Sequence, residues 1–135
     1  MQCAMIFIGG RIFAWHVGRL GATSLSTTES EWFAQTLGAT VLKIALPVME
    51  FLDIPIRKPI ISFCDNAGAV IISENNGSTK RLKHVATRMA YLQEQCDEGT
   101  LTIVHIGRDG MIADIGTKIL PPDAFHRILP MLIHE

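Results

Sequence analysis

Two adjacent glycines, Gly9 and Gly10, interrupt an otherwise apolar stretch over residues 3–17, and they constrain the fold more than any other feature. Consecutive glycines supply the positive φ angles that a two-residue hairpin turn needs. The flanking runs, CAMIFI and RIFAWHV, are rich in the β-branched and aromatic residues typical of strands. The sequence therefore predicts an antiparallel hairpin at the start of the chain.

A helix is predicted after the hairpin, within the stretch LSTTESEWFA at residues 25–34. Ser26 and Glu29 have capping-box spacing, in which the glutamate reaches back to the N–H group of the cap residue. We expect Pro47 to end or kink this helix, with VMEFL as a continuation. Apolar residues at helical spacing form its predicted buried face: Phe33, Leu37, Val41 and Ile44.

The remaining pattern alternates strands and helices. KPIISFCD reads as a buried strand ending in Asp65, and TLTIVHI (100–106) as another. Helices are predicted over 66–75 and 79–96, then a short helix carrying Asp114 and a last amphipathic segment after Pro121-Pro122. The apolar face of the 79–96 helix comprises Leu82, Val85, Met89 and Leu92. The order predicts one α/β domain over residues 1–135, with a mixed sheet flanked by helices and with Trp15 and Trp32 in the core.

Composition limits the function classes. The net charge of −1 gives no global sign of nucleic-acid binding, so such binding must rest on a local cluster. Three scattered cysteines are typical of reduced thiols, which indicates an intracellular, cytoplasmic protein. Lys43, Pro47 and Glu50 interrupt the most apolar window, so no membrane span is expected.

Three carboxylates stand at informative places: Glu31 in the first turns of the first helix, Asp65 at a strand end, and Asp114 after the last strand. Ligands gather at the carboxyl ends of strands in open α/β sheets. Converging carboxylates there suit Mg²⁺, and a pair of ions can hydrolyse a phosphodiester. Two of these acids also have a structural alternative, because Asp65 can cap the next helix and Asp114 can favour a helix N-terminus through the dipole.

Lys80, Arg81, Lys83, His84 and Arg88 form the densest positive cluster. The cluster is either a solvated helix face or a contact for the phosphates of a nucleic acid, which proteins grip through charge and shape. The sequence leaves both interpretations open.

Four ordered blocks resemble the ribonuclease H domain of Ty1/copia-type retrotransposon polyproteins. LSTTESEWFA is similar to the family's Ser-Thr-x-Glu-Ala-Glu-Tyr block, and SFCDNAGAV to its Cys-Asp-Asn-x-x-Ala block. RLKHVATRMAYLQEQCDEGTL resembles its Lys-His-Ile-Asp-Ile-Arg segment, and HIGRDGMIADIGTKIL its Ala-Asp-x-x-Thr-Lys ending. The resemblance covers about residues 5–120.

The resemblance implies a ribonuclease H-like fold and cleavage of the RNA strand of an RNA–DNA hybrid. The family's metal-binding acids fall on Glu31, Asp65 and Asp114, with Mg²⁺ or Mn²⁺ as the implied cofactor. The implied partners are the hybrid and the reverse transcriptase segment of the same polyprotein, in the cytoplasm or in a retroelement particle.

The sequence departs from the family most at its start. The family's first, central strand carries an aspartate and precedes the hairpin, whereas residues 1–28 here contain no Asp or Glu. We therefore expect weakened activity, and either direct pairing of the hairpin with the Asp65 strand or an exposed edge that permits a homo-oligomer. The alternatives are a non-catalytic module of the same fold, serving structure or nucleic-acid binding, and another nuclease or integrase of the superfamily, which the motif blocks disfavour.

Overall fold

The structure is a computed structural model that describes residues 1–19, 27–66 and 86–133. Strands β1 (Gln2–Ile8) and β2 (Arg11–Gly18) pair antiparallel, from Gln2 opposite Gly18 to Ile8 opposite Arg11. Gly9 and Gly10 form the turn with φ angles of 57° and 80°, values that glycine adopts without steric cost. The predicted hairpin is confirmed.

Helix α1 (Thr27–Phe51) continues through Pro47 into the predicted VMEF extension. Its predicted buried face is only partly right, because Ile44 is 69% exposed. Phe33 of the predicted face is buried, and a second apolar stripe also faces the rest of the protein: Trp32, Ala39, Leu42, Ala45 and Met49. Because α1 is apolar on most of its sides, its contacts with the other elements determine which stripe is buried.

Strands β3 (Ile60–Cys64) and β4 (Leu101–His105) pair in parallel, with Ile60 opposite Leu101 and Cys64 opposite His105. Among the described strands, β1 pairs only with β2, and β3 only with β4. The expectation of one mixed sheet with the hairpin beside the Asp65 strand is therefore wrong for the described residues. A groove of about 390 Å³, lined by both β1 and β3, lies between the two sheets.

Helix α2 (Ala86–Asp97) connects to β4 and buries Met89 and Leu92, as predicted. The other predicted face residues, Leu82 and Val85, lie outside the described residues, as does the helix predicted over 66–75. Two short 3-10 turns follow β4, Arg108–Gly110 and Ile112–Gly116, and the second carries Asp114. Helix α3 (Pro122–Leu132) is the predicted last segment.

The main core lies between α1, α2 and the β3–β4 pair. It contains Trp32, Phe33, Ala39, Cys64, Met89, Leu92, Leu101 and Ile103. Trp32 is 1% exposed, which confirms its predicted place, whereas Trp15 is 65% exposed and its predicted burial is wrong. Of the two hairpin strands, α1 packs mainly against β1, so residues 15–17 of the outer strand β2 are exposed to solvent.

The segment Glu29–Phe51 of α1 is long and apolar enough to cross a membrane by length and composition. Its buried side, however, contacts β1, β3 and α2. We therefore interpret α1 as the core helix of the fold, on which the functional side chains of its first turns are fixed.

Candidate active site

The structure brings Glu31 and Asp65 together. Glu31 lies in the first turns of α1, and Asp65 directly follows β3, so the packing of α1 on β3 joins them. Burial, followed by the negative charge of the nearby Asp65 carboxylate, raises the pKa of Glu31. Two half-buried acids close to each other create an excess of negative charge that a cation would neutralise.

Cys64 supports this pair from within the core. Its side chain is fully buried, and its Sγ atom lies 3.8 Å from Oε2 of Glu31 and 3.6 Å from the carbonyl oxygen of Asn66. Burial is the main cause that raises the pKa of Cys64 to about 11. The sulfur is therefore a protonated thiol at neutral pH, able to donate a weak hydrogen bond to Glu31.

Asp114 is held by a cation. Its Oδ1 atom lies 2.8 Å from Nζ of Lys118, one helical turn later. The positive charge of Lys118 also acts on Glu31, where it lowers the pKa against the larger effects of burial and Asp65. Lys118 thus links the two groups, because its charge acts on Glu31 while its ion pair satisfies the charge of Asp114.

A metal ion suits part of this arrangement. Two carboxylates and several waters are a common protein environment for Mg²⁺, so Glu31 and Asp65 fit one such ion. Across residues 1–19, 27–66 and 86–133, no group of three or more His, Cys, Asp or Glu side chains is arranged to hold a metal. Lys118 pairs with Oδ1 of Asp114, so a ligand set that included Asp114 would use its other oxygen or a rearranged ion pair.

Gln35 is a polar residue of the site region that the sequence did not single out. It is 8% exposed, donates from Nε2 to the carbonyl oxygen of Phe63 at 2.9 Å, and accepts from Oγ of Ser62 at 2.7 Å. Its only sequence signal is its position four residues after Glu31, which places both on the same side of a helix. Gln35 thus ties α1 to β3 next to the carboxylate pair.

Most of the predicted basic cluster lies outside the described residues, namely Lys80, Arg81, Lys83 and His84. Arg88 is described and exposed, with its guanidinium carbon 4.2 Å from the ring centre of Phe33. This stacking leaves the guanidinium at the surface and fixes its position. Glu29 is fully buried, while its predicted cap partner Ser26 lies outside the described residues.

Comparison with known proteins gives the chain a context. It is 26% identical over 121 residues to the retrovirus-related Pol polyproteins from transposons RE1 and RE2 of Arabidopsis thaliana. It is also 29% identical over 119 residues to the corresponding polyprotein from transposon TNT 1-94 of Nicotiana tabacum. The chain resembles part of a transposon Pol polyprotein.

These alignments cover 88–90% of this chain but only 8–9% of each polyprotein. The chain therefore corresponds to less than a tenth of the length of these relatives. No protein-family model matches the chain, and no solved structure matches it. The similarity supports a polyprotein context and leaves the activity of this segment to be inferred from its site.

Proposed function

We propose that this chain is a ribonuclease H-type domain of a retroelement polyprotein, which hydrolyses the RNA strand of an RNA–DNA hybrid. The proximity of Glu31 and Asp65, where the start of α1 meets the end of β3, is the observation that carries the proposal. The similarity to retrovirus-related Pol polyproteins also supports it, because the four sequence blocks resemble the ribonuclease H domain of such polyproteins.

In this proposal Glu31 and Asp65 would hold Mg²⁺, or Mn²⁺ in its place, through their carboxylate oxygens. The bound ion would supply an activated water and stabilise charge on the phosphate. The raised pKa of Glu31 makes its deprotonation, and hence cation binding, dependent on pH. Cys64 would hold one oxygen of Glu31, which leaves the other free to face the ligand.

Asp114 and Lys118 would respond to the substrate. A phosphate of the hybrid attracts the Lys118 ammonium, and this attraction would release Asp114 as a third ligand. The exposed guanidinium of Arg88, together with Lys80, Arg81, Lys83 and His84, would contact further phosphates. Substrate binding would in this way complete a ligand set that the free protein holds apart.

Cleavage of a labelled RNA–DNA hybrid at varied Mg²⁺ concentration tests the proposal. We expect Asp65→Asn and Glu31→Gln each to lose at least about 100-fold in rate, because a ligand of the ion is removed. Glu50→Gln, an exposed position near the far end of α1, is the matched control and should retain the wild-type rate. Cleavage that persists in Asp65→Asn would show that the activity comes from a contaminant.

The ion pair between Asp114 and Lys118 favours one alternative, a non-catalytic module of the same fold that binds nucleic acid. Such a module would bind the hybrid without cleaving it, and Mg²⁺ would not strengthen its binding, because cations compete for the phosphates. A gel-shift measurement beside the cleavage assay separates these two functions.

A further inference from the structure

We infer that Gln35 is a positioning residue, which sets the separation of Glu31 and Asp65 by fastening α1 to the outer edge of β3. The inference rests on the proposed role of these two acids as metal ligands. Gln35 itself touches neither of the two in any described hydrogen bond, so its action would pass through the backbone of β3 and the helix.

The hydrogen bonding of β3 shows why a side chain is needed at this place. The N–H of Ile60 donates to Thr100, and the carbonyl of Cys64 accepts from Ile106, so the even-numbered residues of β3 direct their peptide groups towards β4. In a parallel ladder the odd-numbered residues then point the other way. On that side β3 has no strand partner among the described strands.

Gln35 takes the place of a strand partner at Phe63. Its Nε2 donates to the outward-directed carbonyl of Phe63 at 2.9 Å, as the N–H of a neighbouring strand would. The hydroxyl of Ser62 donates to Oε1 at 2.7 Å, which fixes the orientation of the amide. With both ends engaged, the buried Gln35 holds two successive residues of β3 against α1.

These two residues lead directly into the site. Ser62 and Phe63 precede Cys64 and Asp65, and Glu31 lies one helical turn before Gln35. The seam between α1 and β3 therefore has two adjacent ties, Gln35 to residues 62–63 and Glu31 to Cys64. If the first tie is removed, helix and strand can shift against each other, and the carboxylate spacing is no longer fixed.

Gln35→Met tests this role, because methionine has a similar length and volume but cannot form either hydrogen bond. We expect its affinity for Mg²⁺, measured by titration with MgCl₂ and calorimetry, to fall about 10-fold, a typical loss when a residue behind a metal ligand is replaced. Thr36→Val is the matched control. Its hydroxyl bonds only within α1, to the carbonyl of Trp32 at 2.8 Å, and its loss should leave the affinity unchanged.

A second readout needs no metal. Carboxyl carbon NMR of the metal-free protein follows the titration of Glu31, and Gln35→Met should weaken the effect of the Asp65 charge on the pKa of Glu31, whereas Thr36→Val should not. If the wild type fails to bind Mg²⁺, the proposed function is wrong, and this titration alone decides the role of Gln35. Wild-type titration curves in Gln35→Met would overturn the inference.

Ser62→Ala covers the case in which Gln35→Met does not fold. It removes only the hydroxyl that orients the Gln35 amide, so we expect the same changes at smaller size. Wild-type behaviour of Ser62→Ala in both measurements, with Gln35→Met unfolded, would also overturn the inference.

Discussion

At the scale of single residues, the surroundings of Glu31 oppose the negative charge that its proposed function requires. Glu31 is half-buried beside Asp65, and both circumstances oppose its ionised form. A protein without use for the second charge would be more stable with a neutral side chain there. A bound cation, as the proposed function requires, would offset this cost, and the charge of Lys118 already offsets part of it.

Glu31→Gln should make the protein more stable at neutral pH. Because burial and Asp65 raise the folded-state pKa of Glu31, its contribution to stability is present below its ordinary pKa and is lost as pH rises through the folded value. The glutamine side chain does not ionise, so the variant keeps this stability at neutral pH. We expect the melting temperature of the variant to exceed that of the wild type by a few degrees at pH 7, with no difference near pH 3.

Thermal unfolding at both pH values, without divalent cations, measures this effect. Glu50→Gln, at an exposed position of the same helix, should change the melting temperature at neither pH. Equal stability of Glu31→Gln and wild type at pH 7 would mean that Glu31 is not destabilised by its surroundings.

The Cys64 thiol should resist alkylation in the folded protein. It is fully buried, and its pKa of about 11 leaves on the order of one thiolate in ten thousand molecules at pH 7. Mass spectrometry after iodoacetamide treatment should find Cys64 labelled only when urea is present. Fast labelling of native Cys64 at pH 7 would contradict its place behind Glu31, while the half-buried Cys96 serves as an internal comparison.

At the scale of elements, the hairpin and α1 show different sources of order. The hairpin is fixed by its turn, since Gly9 and Gly10 adopt positive φ angles that few other residues tolerate. Helix α1 is fixed by packing, because its sequence offers more than one apolar stripe and Pro47 within it opposes helix formation. Local sequence thus determines the first element and tertiary contacts the second.

Gly10→Ala should destabilise the protein by about 1 kcal/mol, the typical cost of a left-handed conformation for a residue with a Cβ atom. An added Cβ would meet no atom within 4 Å, so the cost comes from the backbone alone. Gly9→Asn is the matched comparison, because asparagine tolerates the φ angle of 57° at that position. Urea unfolding of the two variants measures the difference, and equal stabilities would show that the turn has another conformation.

At the scale of the whole molecule, the parts predictable from sequence are those with local causes. The glycine turn, the strand that ends at Cys64 and the short turn that carries Asp114 follow from neighbouring residues. The exposure of Trp15 and Ile44 depends on how α1 packs against the other elements, and neighbouring residues in the sequence do not determine this packing. Gln35 was missed for the same reason, since its two partners are 27 and 28 residues away along the chain.

The separation of the two sheets makes a prediction about assembly. β1 and β3 both line the apolar groove between the sheets, and neither pairs with a strand on that side among the described residues. Unpaired edges bind other strands, so we expect the isolated chain to self-associate at micromolar concentration through this groove. Ile8→Lys, at the groove end of β1, should weaken the association because it places a charge beside the edge.

Light scattering over a range of concentrations tests this assembly. Thr40→Lys, an exposed position on α1 that does not line the groove, adds the same charge and should associate like the wild type. A monomer of uniform size with one cooperative unfolding transition would show that the groove is closed in solution. Association that Ile8→Lys leaves intact would assign it to another surface, such as the exposed apolar positions Phe63 of β3 and Val104 of β4. The groove is the stronger candidate, because residues of two strands that are unpaired on that side line it, whereas an exposed sheet face offers only side-chain contact.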